Sequence, residues 1–240
     1  MKNYITLIFI LYSYSVYGQM IESKSYPGNT PGLILQGEAK PMKNLTLRMA
    51  ILKPNEKSKK TKVKAGEYLI LAKSGITSII SDKVSGELTP GSIAMITQGD
   101  RFRLFNPSST EVSYYLMNYV AKDPMSGSDT ASSFVRLWED LSYRVHDRGG
   151  VRNYFNKRTS QSKRFEMHVT TLNAGLSSHD PHTHNAEEIV LIIDGNTEML
   201  IGDNMYAAKT GELYFLGSNI LHGIKNKGTK PATYFAYQWD

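Results

Sequence analysis

Ten residues, His179 to Glu188, hold three histidines, two glutamates and an aspartate, and an apolar run ending in Asp194-Gly195 follows at once (HDPHTHNAEEIVLIIDG). His182 and His184 are two apart. On an extended strand that spacing puts both rings on one face, about 7 Å apart along it. Glu188 follows after three residues, room for the chain to turn and present a carboxylate from the next strand. His222 comes from a hairpin further on, GELYFLGSNILHGIKN. Three neutral imidazoles and one carboxylate converging on a point would bind one divalent transition metal (manganese, iron, zinc, nickel or copper) and leave one or two coordination positions open. Taken singly, each histidine reads as a surface or hydrogen-bonded core residue; the four side chains together carry the metal reading.

Other residues are weaker candidates. His179 reads either as a substrate contact or as a solvated loop histidine. Glu187 matches Glu67 half a chain earlier, which points to a structural or surface role. Glu166 and His168 alternate on FEMHVTTL and share a face. Facing inward they would be acid/base groups near the metal. Facing outward they are surface polars, with Phe165, Met167 and Val169 as core, and the outward reading is preferred. In HDRGGVRNYFN, residues 146–156, Arg148 and Arg152 could clamp a carboxylate substrate or pack between domains.

The elements that must position these groups read as strands. Short segments rich in Val, Ile, Leu, Phe and Tyr recur between turn signals, as in EYLILAKSG, GSIAMITQG, EVSYYLMNYV, EIVLIIDGN, GELYFLGSN and ATYFAYQWD. That spacing predicts an all-β barrel or sandwich. Asp194-Gly195 predicts a tight hairpin turn, and SSFVRLWEDL, residues 132–141, a short helix. Shifting the chain by 120 residues lays Gly75 on Gly195, Gly91 on Gly211, Asn106 on Asn226, Glu67 on Glu187 and Tyr114 on Tyr234. Few residues are identical, but the shared glycines sit at turns and the shared apolar residues in strands, so the chain reads as a tandem duplication of one β module.

Composition sets outer bounds. The chain has 240 residues and a net charge of +6, and its densest basic cluster, KPNEKSKKTKVK at residues 53–64, reads as a solvated loop, so no nucleic-acid partner is expected. The N-terminal stretch, a lysine followed by YITLIFILYSYSVYG with small residues at Val16 and Gly18, predicts a signal peptide over residues 1–18, with an uncleaved anchor as the alternative. The mature chain is then exported, periplasmic or secreted, with no stable membrane span. The absence of cysteine removes thiolate nucleophiles, zinc–thiolate sites, iron–sulfur clusters and a lipoprotein anchor.

The sequence resembles the cupin superfamily. Its first motif, G-x5-H-x-H-x3,4-E-x6-G, is met by Gly175, His182, His184, Glu188 and Gly195, with one extra residue after Gly175. The second, G-x5-P-x-G-x2-H-x3-N, is met by Gly211, His222 and Asn226, with Gly217 for the proline and Asn219 for the second glycine. The resemblance implies a bicupin: two tandem jelly-roll barrels, the N-terminal one over residues 19–121, a linker over 122–160 and the C-terminal one over 161–240. At the positions matching His182, His184, Glu188 and His222 the first copy has Lys62, Lys64, Tyr68 and Phe102, so that barrel is expected to be metal-free. The superfamily includes sugar isomerases, uronate-processing enzymes, oxalate oxidases and decarboxylases, dioxygenases and sugar-binding modules, and fold does not choose among them. The leading expectation is an exported Lewis-acid lyase, dehydratase or isomerase acting on a small oxygen-rich substrate such as a sugar acid or oligosaccharide end. The alternatives are an oxygen-dependent oxidase or dioxygenase, and a metal-organised carbohydrate-binding or sensing module without turnover. A homodimer through strand edges is a further expectation.

Overall fold

The computed structural model describes residues 18–127 and 132–240; of the expected signal peptide only Gly18 falls inside them. The chain begins with β1 (Lys24–Tyr26), β2 (Gly32–Gly37), β3 (Met42–Leu52), β4 (Thr61–Lys62), β5 (Glu67–Ser74), β6 (Thr77–Ser81), β7 (Ser85–Leu88), β8 (Ile93–Ile96), β9 (Arg101–Phe105) and β10 (Val112–Ala121). After β11 (Phe134–Arg136) and a 3-10 turn at Trp138–Asp140 come β12 (Arg144–His146), β13 (Gly149–Lys157), β14 (Phe165–Leu172) and β15 (Glu187–Asp194). The chain closes with β16 (Asn196–Ile201), β17 (Asn204–Lys209), β18 (Leu213–Leu216), β19 (His222–Asn226) and β20 (Ala232–Trp239). Among the described residues no helix is long and apolar enough to cross a membrane.

The strands make two jelly rolls. The first faces a six-stranded sheet (β11-β8-β5-β10-β3-β2) with a four-stranded one (β4-β9-β6-β7); the second faces a seven-stranded sheet (β1-β18-β15-β20-β14-β13-β12) with a three-stranded one (β17-β16-β19). The two sheets of each unit share no ladder, so each roll stays open. Side-chain alternation then fills three cores. Ile70, Ala72 and Ile96 pack with Ile79 and Leu104 inside the first unit, and Val190, Ile192 and Leu216 with Met199 and Ile224 inside the second. The opposite faces of the same strands meet between the units, where Leu69, Leu71, Met117 and Tyr119 join Phe165, Met167, Ile189 and Trp239. This is why β5 and β15 read as unbroken apolar runs: both of their faces are buried.

The 120-residue repeat is visible in hydrogen bonds. The Asn106 amide donates to the carbonyls of Leu52 and Thr110 and accepts from the Ser108 N–H; Asn226 does the same with Leu172, Lys230 and Gly228, each partner displaced by 120. Two buried side chains of one type thus close the same loop twice.

Three expectations are corrected. Asp194-Gly195 is not a hairpin: β15 pairs with β18 and β20, and β16 with β17 and β19. Gly195 has the expected positive φ, 97°, but uses it to carry the chain from one sheet to the other, where a Cβ would meet that of Ala232 at 2.8 Å. Residues 132–141 are not a helix beyond the 3-10 turn. Phe134–Arg136 instead pairs with Ile93–Met95, and the Phe134 ring packs edge-on against Phe155 at 5.3 Å, contacts that outweigh a short helical pattern. Finally, the described strands within the expected linker, residues 122–160, belong to the two units. β11 extends the first sheet, β12 and β13 extend the second, and β1, which precedes the first unit, pairs with β18 of the second.

Candidate metal centre

His182 lies just before β15 and exchanges backbone hydrogen bonds with His222 at the start of β19, N–H to carbonyl at 3.0 and 2.9 Å. That bridge brings their rings to 4.6 Å between centroids, and the His184 ring stands 5.3 and 4.7 Å from those of His182 and His222. The backbone carbonyl of His184 is held by the N–H of Asn219, which has φ 61°. Asparagine tolerates this left-handed conformation better than most residues, so Asn219 fills the position of the motif glycine. Glu188, at the start of β15, puts Oε2 3.5 Å from His184 Nε2 and 3.7 Å from His222 Nε2.

Second contacts fix the rings. Nδ1 of His184 lies 2.9 Å from the carbonyl of Ala186 and Nδ1 of His222 2.8 Å from that of Ile220. A ring whose Nδ1 hydrogen is given to a backbone carbonyl presents Nε2 as a lone pair, the state a metal requires. Burial pushes the His182 and His222 imidazoles below their ordinary pKa, which also favours the neutral form; the contact with Glu188 pulls that of His184 up. Nε2 of His184 and Nδ1 of His182 are buried without a hydrogen-bond partner. Such orphaned nitrogens cost free energy unless something outside the chain satisfies them. Ligand atoms of His182, His184 and His222 lie within 4.8 Å of one another, and the three form a group that can hold a metal ion. The residues fit the group that the sequence implies.

The cluster opens into a cavity of about 220 Å³ between the sheets of the second unit. Val190, Leu216 and Ile224 form its apolar wall, and His168, His179, Tyr234 and Gln238 its polar one. Here the preferred outward reading of Glu166 and His168 fails. Phe165, Met167 and Val169 are core, as expected, but the core they enter lies between the units, which turns the other face of β14 into the cavity. His168 lines it directly, with Nδ1 3.3 Å from Glu166 Oε1. Glu166 stands behind, taking hydrogen bonds from Asn156 at 2.8 Å and Arg164 at 2.7 Å. His179 is exposed at the mouth, its ring 4.2 Å from that of His182.

The two arginine candidates are engaged elsewhere and are not part of the cavity wall. Arg148 donates to the carbonyl of Ser177 at 3.1 Å. Arg152 donates to the carbonyl of Leu141, and its guanidinium lies 4.9 Å from the Trp138 ring and 5.0 Å from that of Tyr143. Gln238 was missed from sequence. It lies between Glu166 and Glu188 across β14, β20 and β15, and strand alternation on AYQWD would have placed it there.

In the first unit Thr61, not Lys62, pairs with Phe102, and Val63, not Lys64, accepts the N–H of Gly99 as His184 does that of Asn219. The counterparts of the two histidines are therefore Thr61 and Val63, one residue off the 120 shift, while both lysines point to solvent. Tyr68 and Phe102 do stand in for Glu188 and His222, with their rings 5.3 Å apart. Among the described residues the first unit assembles no metal-holding group.

The fold is of the cupin jelly-roll class. Residues 168–237, which contain the whole cluster, match the family model of the Cupin domain. Similar folds include AerE from Microcystis aeruginosa (15% identity, TM-score 0.70, 90% of this chain and 98% of that one) and protein Ylba from E. coli (14%, 0.68, 94% and 95%). Oxalate decarboxylase from Lactobacillus farciminis is similar to the same degree (11%, 0.70, 92% and 87%). At these identities the likeness is one of fold. Comparison with curated proteins gives no match.

Proposed function

We propose that the chain is a bicupin enzyme whose C-terminal barrel holds one divalent transition metal through His182, His184, His222 and Glu188. In this reading it acts as a Lewis-acid lyase, dehydratase or isomerase on a small oxygen-rich substrate such as a sugar acid. The metal would polarise a substrate carbonyl or carboxylate oxygen, lowering the cost of removing a proton from the neighbouring carbon. The observation that carries the choice of chemistry is the Glu166–His168 pair on the wall of the same cavity. With Nδ1 directed at Glu166, His168 offers Nε2 to accept that proton, and Glu166 steadies the imidazolium formed. Tyr234, whose phenol burial pushes up to about 12, stays protonated and can donate to a substrate oxygen. The apolar wall of Val190, Leu216 and Ile224 limits water around the reacting atoms.

The expected signal peptide supports an exported protein, periplasmic or secreted, and the cavity suits a small molecule. The test is to incubate metal-loaded protein with a panel of uronic and aldonic acids in D₂O. Deuterium incorporation next to the carbonyl, or a new vinylic signal, followed by proton NMR, is the expected result. Oxygen uptake without exchange would establish the oxidase alternative, and tight binding without turnover the sugar-binding one.

A further inference from the structure

The first unit has its own cavity of about 220 Å³, lined by Thr46, Arg48, Tyr68, Leu116 and Asn118. Strand register places it where the second unit has the metal cavity. The row Thr46–Asn118–Tyr68 across β3, β10 and β5 repeats Glu166–Gln238–Glu188 across β14, β20 and β15. The next row, Arg48–Leu116–Ile70, repeats His168–Ala236–Val190. The two carboxylates of the second unit are replaced by hydroxyls, and His168 by a guanidinium. A cavity of acceptors has become a cavity of donors.

The donors are free. Among the described residues Arg48 makes neither an ion pair nor a hydrogen bond, and the Tyr68 hydroxyl has no partner. Thr46 accepts from the Asn44 amide at 3.4 Å, which leaves its own hydroxyl hydrogen to give. The Asn118 amide nitrogen gives one hydrogen to the carbonyl of Glu67 at 3.0 Å and keeps a second to donate. Burial pushes the Tyr68 phenol up, keeping it a donor at neutral pH. One permanent cation without an ion pair among the described residues, and two hydroxyls on the same wall, match a single negative charge on a planar oxyanion.

We infer that the N-terminal barrel binds a small monocarboxylate, held by the Arg48 guanidinium with the Tyr68 and Thr46 hydroxyls, at the position symmetric with the Glu166–His168 wall of the second unit's cavity. A guanidinium fork pairs with both carboxylate oxygens, while Leu116 packs against the carbon body. The site uses no metal and does not depend on the reading of the C-terminal barrel.

The test titrates metal-stripped, full-length protein with sodium lactate and, in parallel, with neutral lactamide, followed by amide NMR shifts. Saturable shifts centred on Arg48, Tyr68 and Asn118 with lactate and none with lactamide are expected. Arg48→Met, at an exposed side chain, should fold normally and bind at least tenfold more weakly, whereas His182→Ala/His184→Ala should bind as wild type. The proposal is overturned by an absent or non-saturable lactate response, by an equal response to lactamide, by unchanged binding in Arg48→Met, or by shifts centred on His182 and His222.

Discussion

The backbone N–H of Lys40 donates to both carboxylate oxygens of Glu187 at 2.9 Å, across 147 residues of sequence. The N–H of Ser160 donates to Glu67 at 2.9 Å in the same way, so the segment leading into each jelly roll is clasped by a buried glutamate of the other. Each glutamate also takes a hydrogen bond from the aromatic residue at the matching place on its own last strand, Tyr119 at 2.6 Å and Trp239 at 3.2 Å. Glu187→Ala leaves buried donors unpaired on both sides and is expected to cost about 2–4 kcal/mol. Glu67→Ala is expected to cost a similar amount, read as a fall in chemical-denaturation midpoint.

The same glutamate sets a pH dependence. Burial holds the Glu187 carboxyl above the ordinary carboxylate range. A raised folded-state pKa means that the folded chain holds this proton more tightly than the unfolded one. The contribution is therefore complete below the unfolded-state value and is lost as pH rises through the folded one. In metal-free protein the stability advantage of wild type over Glu187→Gln should shrink as pH rises through that window. An advantage that grows with pH contradicts the assignment.

For the cluster, elemental analysis of wild type is expected to give about one transition metal per chain, and of His182→Ala/His184→Ala essentially none. Added metal should raise the melting temperature of wild type, since a ligand at a hundredfold its Kd stabilises by about 2.7 kcal/mol, and should leave the double variant unmoved. A double variant that retains metal would place the ion elsewhere.

The all-β class, the repeat and the meeting of His182, His184 and His222 were legible in the sequence because each rests on local pattern. Strand segments announce themselves between turns, Asn106 and Asn226 sit at matching turns, and His182, His184 and Glu188 are close in sequence. What failed depended on which sheet a strand joins. Asp194-Gly195 has the chemistry of a hairpin, yet its two strands enter different sheets. The face of β14 carrying His168 looked outward because Met167 and Val169 already accounted for a core, and only the packing of two units back to back buries both faces. The offset that puts Thr61 and Val63, rather than the lysines, opposite the histidines is a single-residue change in register, invisible to an ungapped shift.

Arg152 distinguishes a structural from a substrate-binding arginine. Its guanidinium is sandwiched by Trp138 and Tyr143 and donates to the Leu141 carbonyl, which ties the segment after β11 to the second sheet. Arg152→Ala is expected to lower stability by about 1–2 kcal/mol through the lost cation–π and hydrogen-bond contacts. Metal content and the KM of any substrate found should stay at wild-type values. A raised KM with unchanged stability would return Arg152 to the substrate.

Glu166 and His168 make the sharpest pair for catalysis, because they can be altered without touching the cluster. His168→Ala should keep its metal and lose turnover by a factor of about 10²–10⁴, the usual worth of a positioned acid/base group. Glu166 reaches the reaction only through His168, so it is a positioning residue. Glu166→Gln keeps the shape of the side chain but loses the charge beside Nδ1, and the contact with Arg164 weakens with it. Its kcat should fall less than that of His168→Ala, with KM and metal content little changed. An unchanged kcat, or a loss carried by KM alone, would separate Glu166 from the proton-transfer step.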